Sequence, residues 1–242
     1  MIISDKAWGK FISRLGKVEG AAKDKILAYL ETHPINTLQQ RKDFLTYCYG
    51  VATKYGEASA ALSAQMYDDI AAAAGMFLDP AEVADTATYA ETCEAVNGTL
   101  KQTTAPSSLA DCIGRLVKRA GCDTTLKNAH RDGAQFAWVP HGDTCAFCLT
   151  LASQGWTYTK NWKPGQHAQH IHSNCDCTYA VRFDQNSGVA GYDPNKYYEI
   201  YKAAPGDTSK EKIRAMSKAY REEHREEINE KRRMRYQEQK NR

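Results

Sequence analysis

Cys145 and Cys148 stand three positions apart in "HGDTCAFCLTLASQGW" (141–156), and His172, Cys175 and Cys177 follow in "QHAQHIHSNCDC" (166–177). Thiolates and imidazoles suit a soft to borderline cation, and a Cys-x-x-Cys turn presents two sulfurs to one tetrahedral centre. The set therefore reads as a zinc site, with a strand pair between its halves as in small zinc modules. Five candidates compete for four places. Either His172 and one of the two later cysteines complete the site, or Cys175 and Cys177 both bind and His172 stands behind them. Alternation along a strand puts Cys175 and Cys177 on one face, so the second option is geometrically open. His172 with Cys175 is the preferred pair. His167 and His170 read as surface residues of the loop. The ligands outnumber the places, which favours a closed structural site with one Zn2+ per chain over a catalytic site that keeps a position open. Asp143 and Asp176 flank the ligands and read as solvated or supporting carboxylates.

Other chemistries find less support. The chain has no G-x-x-x-x-G-K-[ST] loop, no G-x-S-x-G elbow and no H-E-x-x-H pair. Pairing Cys148 with His172 as nucleophile and base would leave the other cysteines unexplained. A zinc-stapled His-Asn-His nuclease is the nearest rival, because "HIHSN" resembles part of it. That architecture needs a second metal-binding histidine on a following helix, and after Cys177 the next histidine is His224. No catalytic residue is assigned, and the chain is read as a non-enzyme.

The elements that must position these residues follow from pattern. The chain has 242 residues and eight cysteines, long enough for a real core. Cys48, Cys93, Cys112 and Cys122 are scattered through helical sequence, where a cysteine behaves as a small buried hydrophobe. The start, "MIISDKAWGK", lacks a signal-peptide pattern, and no apolar run is long enough for a bilayer. The expectation is a protein made and kept inside a cell, with no membrane partner. A formal net charge of +3 is too small to argue for nucleic acid by itself.

Residues 6–31 carry apolar side chains at helical spacing, and Pro34 breaks that pattern. The best stripe runs Leu38, Leu45, Cys48, Ala52, Tyr55, Ser59, Leu62, Met66, Ile70, which predicts one long amphipathic helix. Alanines and serines along it allow close approach of a partner helix. Two further helices are expected over 81–96, with Pro80 in its first turn, and over about 107–134, capped by a serine of "SSLAD". At "FAWVP" the character changes, and "GWTYT" and "CTYAVRF" have the alternation of short strands. So few strands bury little apolar surface and need a staple. "DQNSGVAGYDPN" reads as a loop and "KYYEIYKAAPGD" as a short helix or arm. Ile213, Met216, Tyr220, His224 and Ile228 form a thin seam on a charged terminal helix, suited to docking along another surface. Its cluster "KRRMR" puts Lys231, Arg232, Arg233 and Arg235 where a DNA backbone could be met. The fold expected is mainly α. A helical bundle body spans 1–135, a small α+β zinc-stapled module 136–184, and a loop, short arm and charged terminal helix 185–242.

Taken together, four features resemble the C-terminal module of the Mu F-like minor capsid, or head morphogenesis, proteins of tailed bacteriophages. They are Trp138-Val139-Pro140; Cys145, Phe147 and Cys148; Gly155, Trp156 and Tyr158; and His172, Cys175 and Cys177. "YGEASAALSAQMYDDI" is similar to that family's alanine-rich helix, so the resemblance covers most of 38–183. Some members carry a toxin or ADP-ribosyltransferase domain after the module. Here only about sixty residues follow, too few for one. The resemblance implies a non-enzymatic virion component, assembled in the host cytoplasm and placed in the capsid interior. It also implies portal, capsid or scaffold proteins as partners and a role near DNA packaging.

Overall fold

The computed structural model describes residues 2–141, 144–159 and 177–240. In chain order its elements begin with β1 (Ile2–Ile3), α1 (Asp5–Thr32), α2 (Leu38–Ala73), α3 (Tyr89–Leu100) and α4 (Pro106–Arg131). There follow β2 (Gln135–Val139), α5 (Ala146–Ala152), β3 (Thr157–Tyr158), β4 (Thr178–Arg182) and β5 (Gly188–Val189). The chain then continues through α6 (Pro194–Ala203), α7 (Ser209–Glu223) and α8 (Arg225–Lys240). The described residues are mainly helical with a few small strands.

Each long helix starts where a side chain can satisfy its open amides. Ser4 caps α1, while Thr37–Gln40 and Thr88–Glu91 form reciprocal capping boxes on α2 and α3. α4 differs from expectation: its N-cap is Ala105, with no side-chain cap, and Pro106 fills the first turn. Ser107 is instead engaged from outside, its hydroxyl donating to Glu238 of α8 at 2.8 Å.

The predicted stripe of α2 faces inward from Cys48 onward, whereas Leu38 at its start is exposed. α4 is the partner helix that its small residues admit. A Cβ on Gly121 would lie 2.6 Å from Ser59 Oγ and 2.7 Å from Ser63 Oγ, so any larger residue there would have to displace the two serines. The scattered cysteines behave as hydrophobes. Cys48, Cys112 and Cys122 are buried, and burial pushes the Cys48 thiol well up from its ordinary range.

The segment expected as the start of the third helix is not helical: α3 begins only at Tyr89, and residues 79–88 run without regular secondary structure along α4. Their backbone bonds to side chains of that helix. Glu82 N–H donates to Asn128 Oδ1 at 2.9 Å, Asn128 Nδ2 donates to Glu82 O at 2.8 Å, and Ala84 N–H donates to Thr124 Oγ1 at 3.0 Å. Arg131 donates to the carbonyls of Asp79 and Pro80 at 2.8 and 3.0 Å.

The three-stranded sheet has the order β3-β2-β4, antiparallel throughout. β2 pairs with β4 along its length, from Gln135↔Arg182 to Val139↔Thr178. Tyr179 meets both Phe136 and Trp138 edge-on across this pair, with Trp138 and Tyr179 centroids 5.3 Å apart at 88°. These rings join Trp8, Phe11, Tyr67, Ile70 and Leu126 in one apolar cluster, so sheet and helices share a core. A second cluster, built from Ile26, Phe44, Val96, Leu109 and Ile113 among others, fills the far end of the bundle from helices and their connecting segments. β1 pairs in parallel with β5, Ile2↔Gly188 and Ile3↔Val189, inside a region that reads as a loop in sequence.

Candidate metal centre

The pairing of β2 with β4 places Cys177. Val139 and Thr178 are cross-strand partners, so Cys177, just before β4, lies beside the exit of β2. From that exit Pro140 and His141 lead toward α5, whose N-cap is Cys145. Cys145 has extended backbone, φ −66° and ψ 157°, and its Sγ accepts the Cys148 N–H at 3.5 Å. An N–H directed at the first sulfur of a Cys-x-x-Cys turn stabilises that sulfur as a thiolate, the form in which it binds metal. Cys148 is 3% exposed and Cys177 5% exposed; both belong to the shared core cluster, and Cys145 packs against it. Tyr192 fixes the other end of α5 by donating to Ala152 O at 2.8 Å, and burial raises its phenol above the usual range.

Of the five sequence-predicted ligands, Cys145, Cys148 and Cys177 are placed in this way. His172 and Cys175 lie outside the described residues, as do Asp143, His167, His170 and Asp176. Among the described residues no three His, Cys, Asp or Glu side chains gather closely enough to hold an ion by themselves. Two sulfurs at Cys-x-x-Cys spacing are half of the donor set that a closed tetrahedral zinc site takes. The Cys145–Cys148 turn supplies two sulfurs in prepared conformation at the edge of a packed core.

His141 is a feature that the sequence pattern did not single out. Its ring lies against Trp8, centroids 5.8 Å apart, and Nε2 is buried without a hydrogen-bond partner. Burial, reinforced by the nearby Lys118 charge, lowers its pKa from 6.5 to about 4, so the imidazole is neutral at ordinary pH. It lines a cavity of about 220 Å3 between α1, α2 and α4, together with Ser59, Ser63 and Thr178. Only burial reveals it.

The terminal basic cluster is partly consumed within the chain. The charged terminal helix is two helices, broken at His224, whose ring stacks on Tyr220 at 4.2 Å. On α8, Lys231 pairs with Glu227 at 2.5 Å and Arg235 pairs with Asp111 at 3.4 Å. Arg232 instead shares a shallow groove with Lys218, Arg221 and Arg225 of the same helix pair. No helix among the described residues is long and apolar enough to cross a membrane.

No curated protein and no solved structure matches the chain. A family model described as VG15 protein matches residues 2–204, which takes in the helical body, both sheets, the cysteine turn and α6 and stops before α7. The chain therefore belongs to the VG15 protein family, a viral gene family, and this membership marks it as a phage protein.

Proposed function

We propose that the chain is a phage minor capsid, or head morphogenesis, protein of the Mu F-like kind. In this reading it is a non-enzymatic virion component, assembled in the host cytoplasm, carried in the capsid interior and associated with portal and procapsid proteins. Family membership over 2–204 supports the phage origin. The finer reading rests on the Cys145–Cys148 turn, with its sulfur prepared by the Cys148 N–H, in a sequence that also carries His172, Cys175 and Cys177. Cys145 and Cys148 would hold one Zn2+ together with His172 and Cys175, while Cys177 stays in the apolar core. The ion would supply a cross-link between segments that the short strands cannot hold by themselves. The chain's own residues position that link: Cys145 caps α5, Tyr192 ties down its far end, and β4 is registered on β2.

Native mass spectrometry of the purified chain, with and without a zinc chelator, tests the metal. One zinc per chain is expected, absent from Cys145→Ser and Cys148→Ser, both of which melt at lower temperature. Unchanged mass and melting in both variants would remove the zinc from this reading. The virion role is tested separately by quantifying the protein in purified phage particles. Low, reproducible copy number relative to the major capsid protein is expected, and absence from particles would overturn it.

A further inference from the structure

Five cations stand at helical steps along the terminal helix pair. Arg214, Lys218, Arg221, Arg225 and Arg232 are spaced by four, three, four and seven residues, and all five are exposed. Steps of three and four keep side chains on one face of a helix. The face continues across the break at His224, because Lys218 and Arg221 of α7 line one groove of about 440 Å3 with Arg225 and Arg232 of α8. The one acid of that groove is Glu222, 3.9 Å from Lys218. Glu223, Glu226, Glu227 and Glu230 fall on the far side by the same helical count. Residues 209–240 hold eleven Lys and Arg against seven Glu, an excess of four, whereas the whole chain has a formal charge of +3. The positive charge of the protein is therefore concentrated on this helix pair.

Among the described residues Arg214, Arg225 and Arg232 pair with no carboxylate, and Arg221 donates to Ser217 O at 2.9 Å. Like charges three and four residues apart work against a helix, so the stripe is a cost to the folded chain alone. The backbone that carries it is held at both ends. Lys212 Nζ donates to the carbonyls of Lys202 and Ala204 at 2.9 and 2.7 Å, and α7 packs on α5. α8 is tied to α4 through Ser107–Glu238 at 2.8 Å and Arg235–Asp111 at 3.4 Å. Lys231 and Arg235 of the terminal cluster are engaged in internal pairs, and of that cluster only Arg232 belongs to the stripe.

We propose that this stripe binds the phosphate backbone of double-stranded DNA. It extends roughly 27 Å from Arg214 to Arg232 at the rise of a helix. Duplex DNA presents about one negative charge per 1.7 Å of its axis, and four of the five cations are arginines, whose planar fork matches a phosphate. Single strands are held by aromatic rings that stack on successive bases, and here one exposed ring, Tyr236, follows the stripe. A lipid surface takes an exposed apolar face beside the charge, whereas Ile213, Met216, Tyr220 and Ile228 are half-buried. Contacts to phosphate carry no sequence information, so the binding is independent of base sequence. The inference stands apart from the zinc and virion readings. The stripe includes no candidate metal ligand and lies beyond the residues that the family model matches.

Fluorescence anisotropy of the full chain with a labelled DNA duplex of mixed sequence, over a salt series, tests it. Affinity is expected to fall with salt at a log–log slope of about −4 to −5, as five phosphate contacts require. Arg221→Gln combined with Arg225→Gln removes the centre of the stripe. It should weaken binding about tenfold or more at low salt and make the slope shallower by about two. Lys231→Gln combined with Arg233→Gln removes the same charge beside the stripe and should weaken binding by less than about twofold. All four positions are exposed, and unchanged circular dichroism verifies the fold; Arg214→Gln with Arg232→Gln replaces the central pair if that check fails. Absent binding, a slope near zero, equal losses in the two double variants, tighter binding to a single strand, or equally tight binding to anionic lipid vesicles would each overturn the proposal.

Discussion

At the scale of single residues, His141 makes the sharpest prediction. Its folded-state pKa of about 4 lies below the ordinary 6.5, so between those values the unfolded chain binds a proton that the folded chain refuses. Stability therefore rises with pH across this window and falls as pH drops from 6.5 toward 4. The loss is on the order of 2 kcal/mol once partial exposure is allowed for. Thermal melts at a series of pH values should show wild type losing stability with acid more steeply than His141→Leu, which has nothing to protonate. Parallel acid limbs would show that His141 is not responsible. The cysteines illustrate a different residue-level lesson. Spacing distinguished Cys145, Cys148, Cys175 and Cys177 from the scattered four, and the buried Cys48, Cys112 and Cys122 show the expected hydrophobic behaviour. His141 carries no such signal in sequence, because a lone histidine after a proline gains its character only from what folds over it.

At the scale of elements, the segment 79–88 depends on α4 more than on itself. Asn128 is wholly buried and makes three hydrogen bonds, two of them to the Glu82 backbone and one to Thr124 O. Asn128→Ala should destabilise the protein by about 2 kcal/mol, because the Glu82 amide and carbonyl lose their partner. Denaturant unfolding measures this, and a change below about 0.5 kcal/mol would show that water replaces the side chain. The same contacts explain why sequence reading placed a helix too early. Ala81, Glu82, Val83 and Ala84 have no local feature against helix, and Pro80 reads as a first-turn residue. What holds this segment out of a helix is supplied by Thr124, Asn128 and Arg131, 40 to 51 residues away. α2 was legible because its periodicity runs for many turns. β5 was not, because two residues paired to a distant terminus have no pattern of their own. The break at His224 was also hidden, since the apolar seam continues across it from Tyr220 to Ile228 with unbroken spacing.

At the scale of the whole molecule, the two apolar clusters divide the bundle. One unites the sheet and Cys148 with Trp8, Tyr67 and Leu126; the other uses helices and their connections around Ile26, Phe44 and Ile113. Zinc removal should therefore loosen the near end first. Hydrogen exchange in the presence of a chelator is expected to speed up about tenfold or more at Tyr67, Leu126, Trp138 and Val181, with little change at Phe44, Val96 and Ile113. Uniform acceleration through both clusters would mean that the chain opens as one unit and that the proposed cross-link has no local territory. The short pairing of Ile2–Ile3 with Gly188–Val189 has a consequence in time as well as in space. While the ribosome is still working, the first strand has been made but its partner has not. At about 5–20 residues per second, roughly ten to forty seconds pass before Val189 is polymerised. The bundle helices can dock in that interval, but the opening residues must wait, and the ladder they form closes late, after most of the structure it joins has been synthesised.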